Sequence, residues 1–156
     1  MKNFGASIYS ERELLYVLRN KIFTYIQLPI NIADSYYFMK YRNKLKGKII
    51  IARSLVLQGT LLSIKINFKF KKQITNFRKY INAISHKNKI SNEELIYRYV
   101  FSLKNLNYAL IGSINKENIK KIINYKKKGS LNNKLINKLN EISAIKKNWS
   151  NPKKWN

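Results

Sequence analysis

Ile49-Ile50-Ile51-Ala52-Arg53-Ser54-Leu55-Val56-Leu57-Gln58-Gly59-Thr60-Leu61-Leu62 is the most informative stretch of the chain. An unbroken apolar run ending in Arg53-Ser54 suits a parallel strand covered on both faces. The polar residues and Gly59 that follow make a loop at its carboxyl end. Where strands and helices alternate, that end of a strand is where ligands bind.

Before this strand, residues 2–8 read as a short strand, and Ser10 with Glu13 forms a capping box for a helix carrying Leu14, Leu15 and Leu18. Residues 22–28 are rich in β-branched and aromatic side chains and stop at Pro29, as a strand entering a loop does. Asp34 is placed to cap a helix with Tyr37, Phe38, Tyr41 and Leu45 on one face, ended by Gly47. Beyond Gly59 comes an irregular stretch, then a helix over residues 69–85 with Ile74, Phe77, Ile81 and Ile84 aligned. Ser91 and Glu94 suggest a second capping box, and residues 106–111 a last strand. Gly112-Ser113 then turns into a helix with Ile119, Ile122 and Ile123 inward, and Gly129 separates it from a helix bearing Leu131, Leu135, Leu139 and Ile142. Helices alternating with strands predict repeated βαβ units.

The chain has 156 residues, and a hydrophobic fraction of 45% with 25% charged is that of a globular domain rather than a disordered one. Its net charge of +25 points first to a polyanion such as nucleic acid or an anionic membrane. The lysines, however, come with many Asn, Ile and Tyr, residues whose codons are rich in A and T. They are spread along the chain, with only Lys126-Lys127-Lys128 and Lys146-Lys147 as clusters. Compositional drift is therefore preferred to selected nucleic-acid binding. The absence of cysteine removes disulfides, thiol nucleophiles and cysteine metal sites. No apolar run approaches the ~20 residues that span a bilayer, and no signal pattern opens the chain. A soluble, cytoplasmic protein without membrane contact is expected.

Several segments share a further likeness. Residues 52–61 resemble the "A-R-S-x-x-x-Q-G-x-L" segment on the seventh barrel strand of aldo/keto reductases. Gly5-Ala6-Ser7-Ile8-Tyr9-Ser10 is similar to the fifth strand's "G-x-S-x-x-S", and Gln27-Leu28-Pro29-Ile30-Asn31-Ile32-Ala33-Asp34 to the sixth strand's "Q-L-P-x-N-x-x-D". Residues 109–113 with Lys116-Glu117-Asn118-Ile119 resemble the eighth strand and its helix, and Asn151-Pro152-Lys153-Lys154-Trp155 echoes the family tail. The resemblance implies an α/β fold, a partial (β/α)8 TIM barrel of strands five to eight with their helices. Residues 1–156 would form one incomplete domain, whereas a complete barrel needs about 250 residues. A fragment, a split gene product and a misread start are the alternatives.

By the same resemblance the chain would bind NADP(H) or NAD(H). Ser7 and Gln27 would meet the nicotinamide carboxamide, with Ile8 standing where several branches carry Asn. Arg53 would stack on the nicotinamide or fork to a phosphate, which its planar guanidinium permits. Ser54 and the backbone near Val56 and Gly59 would receive the pyrophosphate. Gly112 and Ser113, at a helix amino terminus, and Lys116, with Lys121 near it, would meet the adenosine phosphate. Asn118 stands where many members have Arg, so the choice of dinucleotide stays open.

Carbonyl reduction by hydride transfer also needs a proton donor, and the family's Asp, Tyr, Lys and His lie on its first four strands. No segment here resembles those, so no catalytic residue is assigned and the chain alone should be inactive. The sole histidine, His86, reads as a solvated surface residue, and no metal-ligand spacing, nucleophile elbow or Walker loop is present. A half barrel exposes strand edges, so the missing amino-terminal half or a second copy is an expected partner. The rival reading is a basic nucleic-acid-binding module.

Overall fold

The computed structural model describes residues 3–62 and 69–155, without the Lys153 side chain. Part of the irregular stretch expected after Gly59 therefore lies outside the described residues. The elements are β1 (Phe4–Ser7), α1 (Glu11–Arg19), β2 (Phe23–Pro29), α2 (Tyr36–Lys40), β3 (Ile49–Arg53), α3 (Lys71–Lys87), α4 (Asn92–Phe101), β4 (Tyr108–Ala109), α5 (Lys116–Lys127) and α6 (Asn133–Ser143). Two short 3-10 turns, Asn148–Ser150 and Pro152–Lys154, close the tail.

The strands form one sheet in the order β1-β2-β3-β4, every neighbouring pair parallel. Pairing brings Ser7 opposite Gln27, Pro29 opposite Arg53, and Ala52 opposite Ala109, so the carboxyl ends of the strands share one rim. Because strand side chains alternate between faces, Ile26 and Leu28 of β2 and Ile50 and Ala52 of β3 point one way and are buried. They join the helix residues Leu14, Ile74, Leu95, Tyr99 and Leu139 in a single core. Each such Ile or Leu side chain contributes roughly 1.5–3 kcal/mol on burial.

Capping chemistry explains where helices begin. Ser10 Oγ accepts from Glu13 N while the Glu13 carboxylate accepts from Ser10 N, completing the expected capping box of α1. At α4 only half of the expected box forms: Ser91 Oγ accepts from Glu94 N. The Glu94 carboxylate instead takes bonds from Arg98 (2.8 Å) and Lys128 (2.6 Å), since two charged donors outcompete one backbone amide.

Three other expectations are corrected. The helix after Asp34 is a five-residue segment followed by turns through Gly47, although Phe38 and Leu45 are buried as expected. Its cap position is Ser35, and Asp34 Oδ1 accepts from Tyr36 N. The last strand is two residues long, Tyr108 and Ala109 pairing with Ile51 and Ala52 of β3. The helix after Gly112-Ser113 begins at Lys116, since Asn115 caps it by accepting from the Glu117 and Asn118 amides.

Among the described residues β1 and β4 each have one strand neighbour, leaving an unpaired edge on both sides of the sheet. Beside the β4 edge stand the exposed apolar side chains of Tyr108, Leu110, Ile111, Ile114 and Ile123. Ile123 thus departs from its expected inward placement, while Ile122 and Tyr125 of the same helix are buried. Among the described residues no helix is long and apolar enough to cross a membrane.

Candidate functional site

At the rim, Ser7 Oγ donates to Gln27 Oε1 at 2.9 Å. This leaves the Ser7 oxygen able to accept and the Gln27 NH2 group able to donate. An amide ligand, which offers one donor and one acceptor, matches that pair. Ser7 and Gln27, both expected at the nicotinamide carboxamide, lie opposite each other in the register of β1 and β2 and are bonded. Ile8 is buried, and its N–H extends the ladder to Gln27 O.

Arg53, the last residue of β3, lies with its guanidinium carbon 4.2 Å from the centre of the Tyr9 ring. Its Nη2 donates to Ile8 O at 2.9 Å and its Nη1 to Ser54 Oγ at 3.3 Å. Its Nε is buried with no hydrogen-bond partner among the described residues. A guanidinium carries five N–H donors, and here it is fixed by a ring and two bonds with donors to spare.

The loop after Arg53 is wound tightly. Ser54, Leu57, Gln58 and Gly59 have φ of 58°, 48°, 53° and 82°, and the last of these is glycine's natural territory. Asn31, wholly buried, holds the loop by donating from Nδ2 to Ser54 O at 3.1 Å, while its Oδ1 accepts from the Ala33 and Asp34 amides. Within the loop the bonds Leu57 N to Ser54 O and Leu62 N to Gly59 O are made. The amides of Val56 and Gly59 donate to no backbone carbonyl among the described residues.

The β4 side is different. Gly112 is exposed, Ser113 Oγ accepts from Asn115 N, and Lys116 is exposed on the first turn of α5. The two amides that a phosphate would use there already bond Asn115 Oδ1. Ser7, Gln27, Arg53 and Ser54 are thus drawn together by direct bonds or shared partners; Gly112, Ser113 and Lys116 share none of them.

Sequence reasoning missed the carboxyl-terminal tail. It folds back over the rim and closes a cleft of about 430 Å³ with Tyr9, Tyr36, Tyr37, Arg53 and Ser54. Ser150 Oγ donates to Asp34 Oδ2 at 2.8 Å, and Trp155 Nε1 to Trp149 O at 2.7 Å. Lys147 pins the tail by donating to the carbonyls of Ala33, Ile142 and Ile145. Burial pushes the Asp34 carboxyl above its ordinary range, against the Ser150 bond, and pulls the Lys147 ammonium below its own, against the Asp34 charge. The echo of a family tail at residues 151–155 was the available signal, but it carried no partner. Among the described residues no cluster of His, Cys, Asp or Glu could hold a metal. His86 is exposed on the last turn of α3.

Four parallel strands alternating with helices, with polar side chains gathered at the carboxyl rim, define one flank of a (β/α)8 barrel. Solved structures agree. The chain superposes on aldo-keto reductase AKR11C1 from Bacillus halodurans with a TM-score of 0.72 at 14% identity, covering 94% of this chain and 53% of that one in its apo form. The holo form gives the same score over 52% of its length. The glycerol dehydrogenase AKR11B4 from Gluconobacter oxydans gives 0.68 at 16% identity, over 91% of this chain and 49% of that one. The chain has the fold of these proteins and spans about half their length. No family model and no curated protein matches the sequence.

Proposed function

We propose that residues 1–156 form an incomplete aldo/keto reductase domain that holds the nicotinamide dinucleotide. Reduction of a carbonyl would then require the complementary half barrel. The observation that carries this reading is the Ser7–Gln27 pair beside a clamped Arg53 on a parallel-strand rim. Ser7 would accept from the carboxamide NH2, Gln27 would donate to its oxygen, and Arg53 would lie against the ring or a phosphate. The amides of Val56 and Gly59, which donate to no backbone carbonyl among the described residues, suit the pyrophosphate together with Ser54. At Gly112, Ser113 and Lys116 the support is charge alone, because Asn115 occupies the helix amides.

When bound, the dinucleotide supplies the hydride. This chain's residues would orient it, and none of them is assigned as the proton donor. A chain without cysteine suits the reducing cytoplasm. The two open edges suit four further strands, supplied by another chain or by a continuation of this one.

Fluorescence titration with NADPH tests the reading. Saturable binding without turnover of an aldehyde is expected, and turnover on adding a complementary half. No saturable NADPH binding, together with steeply salt-dependent binding to random oligonucleotides, would replace it with the basic nucleic-acid module.

A further inference from the structure

We propose that the cleft beneath the carboxyl-terminal tail binds a small organic phosphate, as a site separate from the dinucleotide's. The inference rests on the reductase reading only for the identity of the second ligand.

The cleft measures about 430 Å³, within the range of small-molecule sites. Its lining includes Arg53, Lys146, Lys147 and Lys154 and a single carboxylate, Asp34. Asp34 is occupied on both oxygens, by Ser150 Oγ and the Tyr36 amide. Lys147 is turned onto three carbonyls and acts as a clamp. Arg53, Lys146 and Lys154 remain to face a ligand.

How these three are held matters. Four lysines meet carboxylates, Lys40 with Glu11, Lys120 with Glu117, Lys121 with Glu93 and Lys128 with Glu94. At the cleft Lys146 and Arg53 lie over aromatic faces, as Lys44, Lys126 and Lys138 do elsewhere. Lys146 Nζ is 5.7 Å from the Tyr36 ring centre and 5.9 Å from that of Tyr37, and Arg53 is over Tyr9. Lys154 Nζ donates to the neutral Asn148 Oδ1 at 3.3 Å. A ring or an amide positions a cation without cancelling its charge. None of the three has a carboxylate at ion-pair distance among the described residues, and three such cations lining a water-accessible cleft match a dianion better than a neutral or singly charged group.

None of Ser7, Gln27, Val56, Gly59, Gly112, Ser113 or Lys116 lines the cleft. Of the residues assigned to the dinucleotide, only Arg53 and Ser54 line the cleft, and Lys146 and Lys154 are assigned to none of it. Arg53 and Ser54 stand at the boundary, which would set the carbon skeleton of a phosphorylated carbonyl compound toward the rim.

Calorimetric titration of the full chain with glycerol 3-phosphate and with glycerol tests this. Saturable one-to-one binding of the phosphate is expected, with none of glycerol. Lys146→Gln with Lys154→Gln, both at the cleft, should weaken it by roughly tenfold or more. Lys127→Gln with Lys134→Gln, which removes the same charge from residues outside the lining, should leave it unchanged. Equal losses in the two double variants would reduce the binding to diffuse attraction and overturn the proposal. Glycerol binding as well as its phosphate, or displacement of the phosphate by NADPH, would overturn it too. Loss of phosphate binding with NADPH binding intact sinks the cleft alone; the converse sinks the reductase reading alone.

Discussion

The two faces of the same sheet are finished to different degrees. On the helix side, Ile26, Leu28 and Ala52 are 0% exposed and Ile50 1%. On the opposite side, Tyr25, Gln27, Ile49 and Ile51 are half-buried, and Tyr108 is 59% exposed. One face is a protein interior, and the other, which would be the inner wall of a barrel, is left partly open by the described residues.

The sharpest break of this contrast comes from equal truncations on the two faces. Leu28→Ala should cost about 2–5 kcal/mol, the usual range for emptying a closed core. Ile51→Ala, two residues before the rim on the open face, should cost under ~1 kcal/mol, because solvent already reaches its side chain. Urea unfolding of both variants measures the difference. Comparable losses would mean that the inner face is covered within the chain itself.

The helix side is closed by charge as well as by packing. Burial alone would raise the Glu94 carboxyl, but the bonds from Lys128 and Arg98 outweigh it and hold it below the usual glutamate range. A carboxyl lowered in the folded state contributes stability that is complete above its unfolded value, near ~4.3. That contribution is lost as pH falls through the folded value. Glu94→Gln should cost ~1–3 kcal/mol at neutral pH, and its stability should converge on that of the parent only as pH falls below the lowered folded value. Denaturation midpoints across that pH range read the effect, and a gap that stays constant on acidification would assign the loss to packing.

The open side should show itself in association. Of the seven acidic residues, Glu11, Glu93, Glu94 and Glu117 pair with lysine or arginine within the chain, Glu13 caps α1 and Asp34 binds Ser150. A second copy brings another +25 and almost no acid to match it. A complementary half of acidic surplus is the better partner for the apolar edges. Sedimentation should accordingly show weak self-association that strengthens when salt screens the charge, and Tyr108→Lys with Ile111→Lys should abolish it.

Which parts were legible in the sequence follows the same division. The helix side was read well because its signals are local: Ser10 with Glu13, and Ile74, Phe77, Ile81 and Ile84 at helical spacing, all fall where the structure has them. Ser7 and Gln27, 20 residues apart, were read together only through a family likeness, and their hydrogen bond joins them in fact. The tail was not read, because Ser150 reaches Asp34 across 116 residues and no periodicity marks such a contact. The sequence places Asp34 as a helix cap, a role it keeps in part through Tyr36 N, while its other oxygen anchors the tail. The start of α5 was misplaced because Gly112-Ser113 looks like a turn into a helix, whereas Asn115, with two amides to bond, is the stronger cap.

The smallest expected effect tests the rim itself. Ser7→Ala removes one hydroxyl from an exposed strand end, so global stability should change by less than ~0.5 kcal/mol. Its loss also frees Gln27 Oε1, allowing the amide to turn, so the pair no longer presents a fixed donor beside a fixed acceptor. One neutral hydrogen bond is worth ~1 kcal/mol, which is about a fivefold weakening of NADPH binding. Ser7→Thr keeps the hydroxyl and should restore most of it. Equal affinity in the parent and in Ser7→Ala would show that the inner face at this level holds no carboxamide, leaving the Arg53 side of the rim to account for any dinucleotide binding.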